Sequence, residues 1–400
     1  MLAQIIQLLA SPILTRVFDP IEIGALTVFL AFSQAVLPAI GAKLEIAMVL
    51  PRSERNARIL LGMALRTNVL ISLGLVLVCL FPASSLFKNE DADRLSDWVW
   101  MIPLYTWIAG NVVILQYALN RAGAFRKLGA ARVLVAVGTV TLSIGLGLLG
   151  MGLGGLIIGA FAGQLLTMIA LLIWNRSSIG IWTINWTPRH RALLKKYRDF
   201  PVMNATSSLL DGFRTAMPVL TLGWFFPGDV AGWYGLMYRV AAAPISVISI
   251  AVSQVNLREV AEIVRNGGNA RKHVLKIGGT LWLITILPLV IVLIWGPDLF
   301  AMIFGSEWRE AGEYMRLMAP AFAARVVASP LSTTIGATQN NLLGMSWKVL
   351  AFTTNLIVLL SLAYGGDPKT VILGLGISDF CLYLLYQAMI FHAAGKPRPA

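Results

Sequence analysis

The chain has 400 residues, of which 57% are hydrophobic and 13% are charged, and its formal net charge is +13. Soluble domains carry about 25% charged residues, so the composition excludes an ordinary soluble enzyme and indicates an all-α, polytopic membrane protein. Cytoplasmic loops of membrane proteins are rich in lysine and arginine, which accounts for the positive charge without a nucleic-acid partner.

Twelve hydrophobic segments are predicted to be membrane-spanning helices, because each approaches the roughly 20 residues that a bilayer requires. The first is short and follows Met1 without a basic region or a cleavage site. The missing basic region and cleavage site predict that there is no cleaved signal peptide. The shortness of the first segment predicts either a start codon placed too late or a few residues missing before it. The segments cover residues 2–17, 23–49, 59–81, 98–118, 132–150, 153–174, 201–226, 231–256, 275–296, 313–335, 342–364 and 370–392.

An internal repeat divides the chain. PILT at residues 12–15 matches PVLT at 218–221, and in both copies the next landmark proline, Pro38 or Pro244, lies 26 residues after the first. Between them, FDPIEIG parallels FPGDVAG. Repeated halves are typical of transporters. The alternative is chance similarity of two hydrophobic hairpins, because proline and glycine are common in membrane helices.

The distribution of basic residues predicts the orientation of the two halves. One set of alternate loops holds 20 lysines and arginines and the other holds 6. The basic set is expected in the cytoplasm, together with both termini, so the halves are parallel repeats of six helices. We predict an N-terminal lobe over residues 1–175, a cytoplasmic linker over 176–199 and a C-terminal lobe over 200–400.

The linker contains the basic stretch RHRALLKKYRDF. It is compatible with an amphipathic helix attracted to anionic lipid on the inner leaflet, or with a solvated connection.

Once the charged residues assigned to the loops and span ends are set aside, nine remain within the predicted spans, where each costs roughly 2.5–3.5 kcal/mol on insertion. Such residues are expected to pair or to face a shared aqueous cavity, and the excess of bases predicts a cationic cavity for an anionic ligand. Arginine suits phosphate, because its planar fork matches two phosphate oxygens. The bases are Lys43, Arg66, Arg214, Arg239, Arg325 and Lys348, and the acids are Glu45, Asp211 and Asp379.

Other roles remain open for several of these charges. Arg66 and Lys348 lie near the inner ends of their spans, where long side chains also reach the headgroups. Asp211 and Arg214 are spaced to form a local helical pair. The three acids are also candidates for a proton or sodium site that couples transport to an ion gradient.

Signals for catalysis are absent from the sequence. No paired acids, nucleophile elbow, Walker loop or zinc motif occurs in a loop long enough to form a site. The two cysteines lie in apolar runs and the three histidines are scattered. We therefore expect neither an enzyme nor a bound metal or other cofactor.

Several stretches resemble bacterial polysaccharide flippases, of the multidrug/oligosaccharidyl-lipid/polysaccharide exporter superfamily. LLASPILTRVFDPIEIGALTVF followed by AKLEIAMVLP resembles the opening of these proteins, and YGLMYRVAAAPISVISIAVSQV and IFGSEWREAGEYMRLMAP resemble later parts. Members usually carry Arg-Tyr-Glu where this chain has Lys43-Leu44-Glu45. The charges are kept there and the aromatic ring is lost.

The resemblance implies a two-lobed inner-membrane protein that flips an undecaprenyl-pyrophosphate-linked oligosaccharide by alternating access, for lipopolysaccharide, O-antigen or exopolysaccharide synthesis. Lys43, Arg239 and Arg325 would then lie in its cationic cavity. Implied partners are the lipid-linked substrate, membrane lipid, and a glycan polymerase with export machinery.

Two alternatives remain. A cation-coupled multidrug exporter of the same superfamily favours an acidic cavity. A membrane-embedded glycan polymerase or acyltransferase favours a long outer loop or an intramembrane histidine.

Overall fold

The computed structural model describes residues 2–80, 95–176 and 187–395, and residues 177–186 of the predicted linker lie outside them. All regular secondary structure in these ranges is helical. The helices are α1 (Leu2–Val17), α2 (Pro20–Val36), α3 (Leu44–Ala47), α4 (Glu54–Cys79), α5 (Met101–Arg121), α6 (Phe125–Leu148), α7 (Gly152–Trp174), α8 (Pro188–Lys196), α9 (Ala205–Phe225), α10 (Gly228–Arg265), α11 (Arg271–Phe304), α12 (Arg309–Leu331), α13 (Thr333–Ala337), α14 (Asn341–Ala363) and α15 (Pro368–Gly395).

Each predicted segment overlaps at least one of these helices, with 23–49 and 313–335 each overlapping two, and the protein is a multi-pass membrane protein that is helical throughout its described regular structure. Within the described ranges, 9 helices are long and apolar enough to cross a bilayer. Helix α1 has only 16 residues. Helices α9 and α12 are less apolar because both carry charged side chains. The count of twelve spans stays a prediction.

The predicted segment over residues 23–49 is wrong as a single helix. Helix α2 ends at Val36, and a 3₁₀ turn over Leu37–Ala39 follows it. Pro38 has no backbone N–H to continue the helix. Lys43 then adopts a left-handed conformation at φ 59° immediately before α3. The corresponding Pro244 lies inside α10, which continues for 38 residues.

The hairpin between α1 and α2 shows how the local sequence directs the chain. Asp19 is the N-cap of α2, and its carboxylate accepts a hydrogen bond from the Glu22 backbone at 2.7 Å. Glu22 accepts in return from the Asp19 backbone at 3.2 Å. Pro20 occupies the first turn of α2, where a missing N–H costs nothing. The FDP sequence therefore ends one helix and begins the next.

The described chain forms two compact units. The first unit, residues 2–231, contains α1 to α9, with α2 packed on α9 and α6 packed on α7. Gly212 permits the close approach of α9, because a β-carbon there would collide with the Ala35 carbonyl of α2. The predicted lobes, divided at residues 176–199, were defined by the sequence repeat, whereas these units are defined by packing. The predicted lobe boundary therefore stays a prediction.

The second unit comprises the described residues from Gly232 onward. Helix α12 packs against both α11 and α15. Its core includes Trp347, which stacks on Tyr386 with ring centroids 4.0 Å apart. The Asn256 amide donates to the hydroxyls of Thr333 and Thr334, both at 3.0 Å, and so ties α10 to α13.

Candidate functional site

A cavity of about 370 Å³ lies in the first unit and brings together three of the predicted charges. It will be called the first-unit cavity. The α2–α3 break and helix α9 contribute its charged side chains, and polar groups from α2, α5 and α9 complete it. Its polar lining consists of Lys43, Glu45, Asp211, Gln34, Tyr117 and Thr215.

The backbone break places Lys43 and Glu45 on the same cavity. In one continuous helix, residues two apart point about 200° from each other. Here Ala42 and Lys43 both have positive φ, at 51° and 59°. A left-handed residue other than glycine costs about 1–2 kcal/mol, so surrounding contacts must maintain this turn.

Arg121 fixes the chain on the other side of α3. From the end of α5, its Nη1 donates to the carbonyls of Met48 at 3.0 Å, Val49 at 3.2 Å and Pro51 at 2.8 Å. Its Nη2 pairs with Glu54 at 2.8 Å. We call this arrangement the Arg121 clasp. It holds the chain between α3 and α4 against the end of α5.

Glu45 is buried on α3, between the candidate spans Pro20–Ala39 and Glu54–Cys79. Its relative exposure is 2%, and its Oε2 has no hydrogen-bond partner among the described residues. Gly41 makes room for the carboxyl group, because a β-carbon there would overlap it. Burial raises the pKa of Glu45, although a backbone hydrogen bond and Lys43 oppose the shift. The carboxyl group is therefore biased towards its neutral form.

A second cluster surrounds Arg325 in the second unit. Its Nη1 donates to the Tyr238 hydroxyl at 3.1 Å, and its guanidinium lies 5.6 Å from the centroid of that ring. Asp379 and Tyr383 of α15 interact with it electrostatically. Asn355 donates to Asp379 Oδ1 at 3.1 Å and orients that carboxylate. Arg325 is thus held in place with its charge partly compensated.

Arg239 lies next to Tyr238 on α10 and is half-buried. It is eleven residues beyond Gly228, about 17 Å along the helix at 1.5 Å per residue. Among the described residues, no hydrogen bond, ion pair or ring contact reaches its guanidinium. A cation at this depth without a partner has the chemistry to bind an anion.

The remaining predicted bases lie outside these two groups. Arg66 on α4 lies near His190 of α8. Arg214 on α9 and Lys348 on α14 are half-buried and do not line the first-unit cavity. The convergence of all nine charges on one central cavity stays a prediction.

Several polar residues of these sites were not predicted, because only charged side chains incur the insertion cost that marked the candidates. Tyr383 lies four residues after Asp379, so a search of the same helical face would have found it. Tyr238 directly precedes Arg239. Asn355 and Tyr117 carry no comparable signal, because they reach the sites through contacts between helices.

Comparison with known proteins places these features in a family. The chain is 24% identical over 402 residues to the succinoglycan biosynthesis transport protein ExoT of Rhizobium meliloti (strain 1021), covering 96% of this chain and 76% of that protein. Its fold is similar to that of the lipid II flippase MurJ in an inward closed conformation, with a TM-score of 0.75, 15% identity and coverage of 96% of this chain and 85% of MurJ.

An inward-facing multidrug resistance MATE family transporter of the MOP superfamily also has a similar fold, with a TM-score of 0.69 and 13% identity. The match covers 98% of this chain and 95% of that transporter. All three proteins are transporters or flippases by name. The two structural likenesses show a common fold. The model of a family described as polysaccharide biosynthesis protein matches residues 13–313, about three quarters of the chain. The chain therefore belongs to this polysaccharide biosynthesis protein family, and its fold is similar to those of MurJ and the MATE transporter.

Proposed function

We propose that this protein flips a lipid-linked oligosaccharide across the bacterial inner membrane for surface polysaccharide biosynthesis. The substrate class is an oligosaccharide joined to undecaprenyl through pyrophosphate. Arg239 carries the proposal, since its guanidinium is half-buried at depth in α10 and lacks a partner among the described residues. The names of similar proteins support the class, because they include a succinoglycan transport protein and a lipid II flippase.

The pyrophosphate group fits this guanidinium chemically. Each phosphate presents oxygens that an arginine can bind in pairs, and charge-assisted hydrogen bonds of this type are about twice as strong as neutral ones. Insertion of a central arginine costs roughly 2.5–3.5 kcal/mol, so an anionic substrate also relieves an unfavourable state of the empty protein. Arg325 is a second arginine of the same unit, and it is fixed against Tyr238.

The other charges have separate roles in the proposal. Lys43 provides a further cation for the headgroup, and Arg66, Arg214 and Lys348 add to the positive field. Glu45, Asp211 and Asp379 are candidates for ion coupling, with Glu45 foremost because its buried carboxyl group is poised to exchange a proton. The lipid tail remains in the bilayer while the headgroup moves by alternating access.

The proposal includes an orientation and partners. Both termini lie in the cytoplasm, and the linker over 176–199 joins two parallel lobes. The flipped product is a substrate for a glycan polymerase and export machinery on the outer side.

A cation-coupled multidrug exporter is the second candidate. The observation in its favour is the first-unit cavity, where Glu45 and Asp211 lie on one surface. Lys43 on the same cavity opposes it, since a cationic drug would meet a like charge there.

The test is surface polysaccharide measured per amount of protein in the membrane. Arg239→Ala should abolish export without lowering accumulation, and Arg239→Lys should restore only part, because an ammonium lacks the bidentate fork. Arg316→Ala is the matched control, since Arg316 is a partly exposed arginine paired with Glu313 at 2.7 Å.

Normal export by a well-accumulated Arg239→Ala variant would contradict this role. Extrusion of a cationic dye by the wild-type protein, together with unchanged polysaccharide in a deletion strain, would favour the second candidate.

A further inference from the structure

Helix α8 and the residue pair after it present a strongly basic face. Within residues 189–198 there are five basic side chains, all of them exposed. Asp199 directly follows them, and its contact with Arg198 is long, at 3.9 Å. The exposed bases are Arg189, Arg191, Lys195, Lys196 and Arg198.

The opposite face of α8 is fixed to the first unit. Leu193 is buried in a hydrophobic cluster, and Leu194, Tyr197 and Phe200 pack against the same cluster. The basic face therefore cannot turn inward without exposing these apolar side chains. This arrangement distinguishes α8 from a solvated linker.

The start of α8 is fixed as well. The Thr187 backbone N–H donates to His190 Nδ1 at 3.2 Å, and the Thr187 hydroxyl lies 2.7 Å from the same atom. His190 is thus neutral in this cap, and burial followed by the charge of Arg66 lowers its pKa. The imidazole closes the N-terminus of the helix and keeps the basic side chains in a constant register.

A hydrogen bond sets the level of α8 relative to the spanning helices. Arg189 Nε donates to the Asn56 amide oxygen at 2.9 Å, and Asn56 lies in the first turn of α4. The basic residues around this turn predict that it is the cytoplasmic end of α4. The basic face of α8 accordingly lies near the level of the inner-leaflet headgroups.

We propose that the basic face of α8 is a docking surface for anionic phospholipids of the inner leaflet, whose phosphate groups bind its lysines and arginines. The charges are complementary, and each basic residue near an anionic membrane surface strengthens attraction by about fivefold. This role is separate from substrate transport, because it concerns the resident lipid.

The bound lipid also stabilises the first-unit cavity. The cluster that receives Leu193 contains Leu44, Ala47 and Met48, which belong to or follow α3. Helix α3 carries Glu45 into the cavity. A lipid that holds α8 in place therefore supports the α3 segment through shared apolar contacts, and it raises the stability of the folded state by mass action.

The experiment measures lipid binding to the purified full-length protein by native mass spectrometry, with titrated phosphatidylglycerol and with phosphatidylcholine as the neutral lipid. The Lys195→Gln/Lys196→Gln variant should bind phosphatidylglycerol more weakly by at least about tenfold. Arg309→Gln/Lys369→Gln removes the same charge from exposed residues on the predicted outer side, each already paired with a carboxylate, and should change binding less than about twofold. Thermal unfolding should show that phosphatidylglycerol protects the wild type and the control more than the α8 variant.

Equal loss in the α8 variant and the control, or equal binding of both lipids by the wild type, would overturn the proposal. Lys195→Arg/Lys196→Arg should retain wild-type binding, because the charge is retained. If the double glutamine variant does not accumulate, Lys195→Gln and Lys196→Gln are measured singly, each with an expected loss of about fivefold. Wild-type affinity in either single variant would count against the docking surface.

Discussion

Replacing Arg121 with glutamine should release the chain segment that carries Glu45. The left-handed turn at Ala42 and Lys43 costs about 2–4 kcal/mol in all. The Arg121 clasp anchors the chain that follows α3 with three hydrogen bonds to backbone carbonyls. Loss of the guanidinium leaves these carbonyls without their charged donor, so α3 should open locally while the long helices remain folded.

The free energy that stabilises the closed segment comes from two kinds of contact. A hydrogen bond to a charged group contributes about 1.5–3 kcal/mol, but one Nη atom serves all three carbonyls, so we assign about 3 kcal/mol to the set. The pair with Glu54 contributes under about 1 kcal/mol, because the Glu54 side chain is 70% exposed. About 3 kcal/mol corresponds to about a hundredfold increase in local opening.

Hydrogen–deuterium exchange is the appropriate assay, because it reports local opening amide by amide. The Met48 N–H donates to the Leu44 carbonyl at 2.9 Å and is a suitable probe. Arg121→Gln should speed its exchange about a hundredfold, and Arg121→Lys should have an intermediate effect, since an ammonium cannot span the same acceptors.

The control is Glu54→Gln, which leaves the three carbonyl contacts and should change exchange by less than about fivefold. Exchange in Arg121→Gln within threefold of the wild type would refute the clasp. An equal effect of Glu54→Gln would assign the stabilisation to the ion pair instead.

Two further predictions concern protonation and topology. Because burial raises the pKa of Glu45, its neutral form stabilises the fold below the ordinary value of about 4.3, and this contribution is lost as the pH rises through the raised value. Thermal scans should therefore show a steeper stability loss with rising pH in the wild type than in Glu45→Gln, and parallel curves would contradict the assignment. Reporter fusions at Arg191 and Arg271 should be cytoplasmic, and those at Asp229 and Glu307 external. An external reporter at Arg191 would refute the predicted orientation.

Much of the fold was predictable from local chemistry. Long apolar segments predicted membrane helices, because backbone polar groups in a bilayer must be satisfied within the segment. The Asp19-Pro20 pair carries the local signals of a helix start, an N-cap and a first-turn proline, although the predicted segment began only at residue 23. Intramembrane charges such as Arg239 were recognisable as candidate site residues, because an uncompensated charge in a span is costly.

Tertiary contacts determined the parts that the sequence did not. Pro38 begins a 3₁₀ turn after α2, whereas the matching Pro244 lies inside the continuous helix α10. The pairing of Arg325 with Tyr238 joins residues 87 positions apart.

The sequence by itself determined the class of protein, the helices and the set of charges in them, because composition, caps and insertion costs act over a few neighbouring residues. The tertiary structure decided which charges meet. Packing between distant segments placed Glu45 and Asp211 on one cavity, left the Arg239 guanidinium without a partner among the described residues, and turned the basic face of α8 outward. Long-range contacts of this kind have no periodic signal in the chain, since they depend on how the helices pack in three dimensions.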